Sequence, residues 1–313
     1  QDIYKADTIF KIAPPTFEEV EMMQPKQTLF SALQLSVQPQ DFLRKLISKK
    51  LNCVAFDLII DEAGIFPIIR AMGEIAGGAS ISIAAELLSN VNGGVGLILG
   101  GISGISPTEV VIIGAGTVGE FAARAALGLG ATVKVFDNST TKLRRMQSQL
   151  GSRVFTSVIV PKVLEKHLKT ADVAIGATRA TGRHTPCIVT EEMVAEMKTG
   201  SVIIDVSIDQ GGVFETSEVT NHTNPTFRKH GVIHYCVPNI NSRVARTASY
   251  ALSNIFSQIV LHMGDEGGFD SIVRKDAGLR NGVYIYNGIL TNQFLSEAFK
   301  LPFKDINLLM AAI

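Results

Sequence analysis

The chain has 313 residues, and its 29 Lys plus Arg balance 29 Asp plus Glu. A formal charge of zero leaves no global field to hold nucleic acid or an anionic membrane, because both need clustered positive charge. With 46% hydrophobic and 19% charged residues the composition is globular, and the length suits two domains. Mean hydropathy is +0.25. Even so, no uninterrupted apolar run reaches the roughly 18 residues that span a bilayer. The longest candidate, Val95 to Ile105, is broken by Gly96, Gly100, Gly101 and Gly104. Cys53, Cys187 and Cys236 lie far apart with no CxxC spacing, which argues against a disulfide framework or a structural zinc site. The expectation is a reducing, cytoplasmic setting. No signal peptide is read, although the chain opens on Gln-Asp-Ile-Tyr rather than Met.

Short β-branched runs alternate with amphipathic stretches, which predicts βαβ units and a parallel sheet. Strands are expected over 8–12, 29–37 and 53–60. Helices are expected over 17–23, capped by Thr16, and over 39–49. A long helix over 71–90 is rich in Gly and Ala, which would permit close packing at some cost in propensity. The Gly-rich stretch 90–107 reads as a hinge. Strands then follow at 109–113, 132–136, 153–158, 173–176 and 201–206, with helices at 120–129, 140–150, 161–169 and 190–197. A further strand at 234–237 precedes a second long helix over 244–263. The tail from 278 reads as turns with a short helix near 293–299. The fold class is α/β: a Rossmann-type doubly wound parallel sheet plus a second, discontinuous α/β domain.

The apolar strand 109–113 runs directly into Gly114-Ala-Gly116-Thr117-Val118-Gly119, a helix follows, and the next strand ends at Asp137. This strand, glycine turn, helix and acid are the context that makes GxGxxG informative. Gly114 permits the tight turn, Gly116 lets a pyrophosphate approach the backbone, and Gly119 lets the helix pack on the strand. The helix N-terminus offers free N–H groups to phosphates. A carboxylate 23 residues after the first glycine binds ribose hydroxyls and repels a 2′-phosphate, which favours NAD over NADP. Lys142 works against that repulsion. FAD, an S-adenosyl ligand or a plain glycine turn are the alternatives.

The segment Asp205-Val206-Ser207-Ile-Asp209-Gln-Gly211-Gly212 lies just past a buried strand, where open parallel sheets bind ligands. Asp209 is therefore a candidate to meet the nicotinamide or the substrate, and a solvated turn aspartate is the alternative. None of His167, His184, His222, His230, His234 and His262 has metal-site spacing, and no metal is expected. Asn239, Asn241, Ser242, Arg243, Arg246 and Thr247 gather hydrogen-bonding groups before a long helix, as a site for an anion or carboxamide or as a solvated cap.

Several stretches together resemble the family of alanine dehydrogenase and the NAD-binding subunit of proton-translocating transhydrogenase. They are Phe10-Lys11-Ile-Ala-Pro14-Pro, Met72-Gly-Glu74-Ile-Ala-Gly77, the Gly114 fingerprint, Val202-Ile-Ile-Asp205 through Gly212, and His234 to Asn239. The resemblance covers essentially the whole chain. Asp-Gln-Gly-Gly and Phe214 to Ser217 look like the dehydrogenase branch, and Asn239 to Arg243 leans toward the transhydrogenase branch. The resemblance implies NAD-dependent oxidative deamination of L-alanine to pyruvate and ammonia. It implies that Lys11 holds the substrate carboxylate and that Asp209 stands beside the nicotinamide. It also implies that Asp137 lies at the ribose, that Ala177, Thr178 and Arg179 form a loop touching the cofactor, and that Asn239 lies in the nicotinamide pocket; Lys142, Val206 and Ile240 are further cofactor-binding candidates. The partners implied are a small-molecule substrate and further copies of the chain, as a hexamer or dimer.

Two departures stand out. The family's catalytic histidine falls at Gln34, which can hydrogen-bond a keto oxygen but cannot exchange a proton near neutral pH. The family also begins with a further segment carrying a substrate-binding arginine, and this chain is expected to start after it. Alternative readings are a transhydrogenase-like NAD(H)-binding subunit and a non-catalytic NAD-binding regulator. The expected architecture is a substrate domain of 1–71 with 241–313 and a Rossmann domain of 72–240. Lys11 and Gln34 are expected to face Asp209 across a cleft.

Overall fold

The computed structural model describes residues 2–34, 38–39, 41–179 and 185–311. In chain order the elements are β1 (Thr8–Phe10), α1 (Phe17–Met22), β2 (Thr28–Ser31), α2 (Phe42–Ser48), β3 (Asn52–Ala55) and α3 (Pro67–Leu88). Next come β4 (Glu109–Ile113), α4 (Thr117–Gly128), β5 (Thr132–Phe136), α5 (Thr140–Leu150), β6 (Phe155–Ser157), α6 (Pro161–Leu168), β7 (Val173–Gly176), α7 (Glu191–Ala195) and β8 (Val202–Asp205). The chain continues with β9 (Thr226–Lys229), β10 (Val232–Tyr235), α8 (Ala245–Asp265), α9 (Phe269–Lys275), α10 (Ala277–Gly282), β11 (Val283–Tyr286), β12 (Ile289–Leu290), α11 (Gln293–Phe299) and α12 (Ile306–Ala311). By packing, the chain divides into one unit of 1–70 with 251–313 and another of 71–250.

The 71–250 unit holds a sheet in the order β6-β5-β4-β7-β8-β10-β9. All neighbours are parallel except β9, which pairs antiparallel with β10. Alternate residues of the central strands face opposite sides. Val110, Ile112, Val133, Val135, Ile175 and Ile204 pack under residues of α3, α4 and α5. Val111, Ile113, Ala174 and Ile203 pack against Leu164, Leu168 and Val194 on the other side. Burial on both faces is why these strands read as continuous apolar runs. The order reverses between β4 and β7, and a doubly wound sheet binds its ligand at that switch point.

The other unit is built on a sheet ordered β1-β2-β3-β11-β12. β1, β2 and β3 are parallel, and β11 joins β3 antiparallel. Ile9, Leu29, Cys53 and Ile285 pack with Val20, Leu43 and Leu46. On the opposite side Phe10 stacks on Phe30 at 4.5 Å, and Phe256 reaches Phe10 and Phe56 at 5.2 Å each.

Several expectations are corrected. β1, β2 and β3 end sooner than expected, because the chain turns away at Lys11, Ala32 and Phe56; the expected strand over 29–37 also runs into 35–37, outside the described residues. α3 begins at Pro67, whose fixed φ suits a first helical position. β9, β11, β12, α9, α10 and α12 were not expected. α3 is also long and apolar enough, by length and composition, to cross a membrane, although glycines and charges interrupt its apolar run. Its Ala76, Ile81, Ile83, Ala84 and Leu88 are buried in the sheet's core, as in a core helix.

His234 is fully buried in β10 and stacks on Phe227 at 4.8 Å. Its Nδ1–H donates to the Val232 carbonyl (3.1 Å), so Nε2 accepts the Thr216 hydroxyl (2.8 Å). Burial, aided by Lys229 and His230, pulls its pKa down to about 4 from 6.5. Between those values the unfolded chain binds the extra proton, so stability falls as pH drops from about 6.5 toward 4. At about 1.4 kcal/mol per pKa unit, the loss is about 3 kcal/mol. Thermal denaturation across this range is expected to show a falling Tm, with a markedly shallower slope in His234→Gln. An unchanged slope in the variant would refute the assignment.

Candidate active site

The switch point is built by two loops in van der Waals contact. After β4, Gly114 adopts φ +118, which a side chain disfavours. A Cβ there would lie 2.3 Å from the Ala177 carbonyl oxygen, in the loop that follows β7. A Cβ on Gly119 would lie 1.9 Å from the Gly114 carbonyl oxygen. Helix α4 can therefore seat on the turn only without side chains at both positions.

Gly116 is the N-cap of α4 and puts no side chain on the first-turn amides, including those of Thr117 and Val118. A Cβ added to Gly116 would meet nothing within 4 Å, so the outer side of the turn is open. An open backbone with uncapped N–H donors fits a pyrophosphate.

Asp137 reaches back to this turn from the end of β5. Its Oδ2 accepts the Ala115 N–H at 2.7 Å, and its Oδ1 accepts the Ser139 N–H at 2.7 Å. Each carboxylate oxygen keeps a further lone pair for a ribose hydroxyl. Lys142 is exposed on the first turn of α5, where its N–H bonds Ser139 Oγ at 3.3 Å.

In the β7 loop the Thr178 carbonyl accepts Ser207 Oγ–H at 2.7 Å, while Thr178 Oγ1 is buried with no hydrogen-bond partner among the described residues. An orphaned hydroxyl beside the switch point suits a polar ligand group. Arg179 is exposed, and His184 lies outside the described residues.

The β8 loop turns on a residue to which the sequence assigned no role. Asp205 is 1% exposed, and its carboxylate accepts from Ser207 N–H (3.0 Å), Val213 N–H (2.8 Å), Phe214 N–H (3.4 Å) and Ser217 Oγ–H (2.7 Å). Burial pushes its carboxyl up, and these donors oppose the shift without cancelling it. The bond to Ser207, two residues on, is a local turn legible in sequence. The bonds to 213–217 are not. They fix the segment that presents Val206, which is half-buried, and Asp209.

Asp209 keeps one face toward solvent, yet neighbouring atoms desolvate it enough to push its carboxyl up, while the Asn239 N–H pulls the other way. That N–H donates to Asp209 Oδ1 at 3.2 Å and Oδ2 at 3.4 Å. Asn239 sits in the left-handed region at φ +52. Its carbonyl accepts Ser242 Oγ–H at 2.8 Å, and His222 Nε2 is 2.6 Å from the same Oγ. Ile240 is buried, and the Asn241 Oδ1 is buried without a partner among the described residues. The expected arginine site is otherwise engaged. Arg243 pairs with Glu86, and the Arg246 guanidinium lies over the Tyr250 ring at 5.7 Å.

In the other unit Lys11 directly follows β1, and its N–H donates to the Phe30 carbonyl at 2.9 Å. Its ammonium lies 3.2 Å from Glu19 Oε1. Burial raises the Glu19 carboxyl, but the Thr16 N–H and Lys11 more than offset this and hold it below its ordinary value. Glu19 is the capping-box residue of α1, so the helix start fixes the partner of Lys11. Gln34 is exposed and left-handed at φ +43, a costly conformation for a residue with a side chain. Among the described residues no cluster of His, Cys, Asp or Glu could hold a metal.

Gly119→Ala is expected to force α4 away from the turn. NADH affinity, read by nucleotide fluorescence, should fall at least tenfold, with a lower Tm. Unchanged affinity would mean that the turn is not the nucleotide cradle.

Residues 1–76 match the family description "Alanine dehydrogenase/PNT, N-terminal domain", and residues 80–293 match "Alanine dehydrogenase/PNT, C-terminal domain". An alanine dehydrogenase of Halomonas elongata is 37% identical over 300 residues, covering 96% of this chain and 80% of the relative. An alanine dehydrogenase 2 of Staphylococcus aureus is 36% identical over 305 residues, covering 97% of this chain and 82% of the relative. Among solved structures, an L-alanine dehydrogenase superposes with a TM-score of 0.89 at 33% identity, over 96% of this chain and 82% of that one. A transhydrogenase from Sinorhizobium meliloti shares the fold, with a TM-score of 0.78 at 20% identity over 94% of this chain and 81% of that one. The chain belongs to the alanine dehydrogenase/PNT family.

Proposed function

We propose that this chain catalyses the NAD-dependent oxidative deamination of L-alanine to pyruvate and ammonia, and the reverse reductive amination. One observation carries the reading. In a chain related to alanine dehydrogenases, the open Gly116 backbone, the Asp137 carboxylate and the orphaned Thr178 hydroxyl gather at the switch point of a doubly wound sheet. Gly116, Thr117, Val118 and Gly119 would hold the pyrophosphate, Asp137 and Lys142 the adenosine ribose, and Ala177, Thr178, Arg179, Val206, Asn239 and Ile240 the remainder of the dinucleotide. Bound NAD supplies the hydride acceptor for the amino-acid Cα–H. Asp137 favours NAD because its charge repels a 2′-phosphate.

The chain's own residues divide the remaining work. The Asp209 carboxyl, raised by desolvation, holds or releases a proton at its oxygen as ammonia leaves or adds. The Asn239 N–H keeps that carboxylate oriented. Gln34 donates an amide hydrogen bond to the keto oxygen without transferring a proton. Lys11 holds the substrate carboxylate once it exchanges its Glu19 partner. The same reading makes the protein a cytoplasmic homo-oligomer, a hexamer or dimer. Support comes from free Cys53, Cys187 and Cys236 and from the exposed Ile98, Ile102 and Ile105.

A second reading has its own support. Gln34 stands where the family has histidine, and Lys11 is already paired, which suits an NAD-binding protein without amino-acid chemistry.

NADH oxidation with pyruvate and ammonium separates the two. Asp209→Asn is expected to lower kcat about 10²-fold or more, within the range of general acid/base catalysis. Lys11→Ala should raise the pyruvate KM about tenfold, and Gln34→His should raise kcat. Tight NADH binding with no turnover of pyruvate or any other 2-oxo acid would replace the first reading with the second.

A further inference from the structure

Arg145 lies on α5, beyond the residues assigned above, and reaches the glycine turn. Its Nη2 donates to the Ala115 carbonyl at 3.3 Å. Ala115 is also the residue whose N–H is held by Asp137 at 2.7 Å. One buried alanine thus carries a carboxylate on its N–H and a guanidinium on its C=O. The two charges are neighbours, but no ion pair within 4 Å joins them among the described residues. Arg145 is exposed, and among the described residues one of its five N–H donors is engaged. The remaining fork matches the oxygens of a phosphate. Lys142, exposed three residues earlier, adds a second cation on the same face of α5.

We propose that Arg145 and Asp137 together set cofactor selectivity, with Asp137 repelling a 2′-phosphate and Arg145 ready to receive one. The inference rests on the dinucleotide reading above and deepens it. Asp137 stands where ribose hydroxyls are read, so a phosphate on the 2′-oxygen would meet the carboxylate first. Removing that charge leaves a guanidinium already anchored on the same turn. Competence for NADP is then one substitution away, and Arg145, more than Lys142, supplies it. The fork geometry and the fixed anchor distinguish Arg145 from a flexible ammonium.

The test is direct binding of NADH and NADPH, read by nucleotide fluorescence on the full chain. The quantity followed is the ratio of the NADPH Kd to the NADH Kd. Wild type should show a ratio above about ten. Asp137→Ser should lower it at least tenfold, and Asp137→Asn, which keeps the side chain's shape, should lower it in the same direction if the serine variant is poorly folded. Adding Arg145→Gln to either variant should restore most of the ratio, while adding Lys142→Gln should restore less. A merely structural role for Arg145 would weaken both nucleotides together and leave the ratio unmoved, which overturns the proposal. So would a ratio that does not fall when Asp137 is replaced, or one restored by Lys142→Gln instead. Failure of wild type to bind NADH overturns the dinucleotide reading itself, and it is seen before any variant is compared.

Discussion

How closely two backbone loops approach decides the shape of the switch-point end of the 71–250 unit. Gly114 and the Ala177 carbonyl are so near that one methyl group would separate them. Gly119 and the Gly114 carbonyl are nearer still. These contacts set where α4 begins, and so where its uncapped N–H groups point. They also bring Ala115 within reach of Asp137 from the next strand. The positions of the turn, the helix and the acid all follow from two absent side chains. Packing on both faces of the sheet then makes the arrangement rigid, because the strands beneath the turn cannot shift without opening a buried core.

The two acids at and just past the end of β8 divide by environment. Asp205 is enclosed and surrounded by four donors, so it acts as a structural anchor for the residues that follow. Asp209 has one donor and an open face, so it remains available to a ligand. Both carboxyls are raised by desolvation, but only one is accessible. One acid fixes geometry and the other stays open to solvent, a division set by burial rather than by residue type. Gln34 and Asn239 add a related point. Both occupy left-handed backbone without being glycine, and such strain persists where surrounding structure holds it.

What could be read from the sequence was mostly what is local. The strand, glycine turn, helix and Asp137 occupy one continuous stretch, and each part has its own short-range reason. The family resemblance was carried in the same way, by compact stretches. Contacts between distant segments were not legible. Glu19 takes the Lys11 ammonium because α1 folds back on β1, and periodicity says nothing about that choice. Arg145 and Lys142 look alike in sequence, yet only Arg145 has a bond to the turn. In sequence β11 reads as turn, because Val-Tyr-Ile-Tyr is short and flanked by glycines, while its burial depends on pairing with β3, far earlier in the chain. β9 has no clear signature of its own in sequence; His230 and Gly231, both at positive φ, make the tight turn from it into β10.

That overlooked strand has an effect beyond the site. The edge of a sheet is a ready template for a strand from another molecule. Here the outermost strand is short and antiparallel, with Arg228 bonded to the Gly93 carbonyl and Lys229 paired with Glu191. An incoming strand would have to break these bonds and strip water from both charges before gaining a ladder bond. β9 therefore guards this edge against runaway fibre growth.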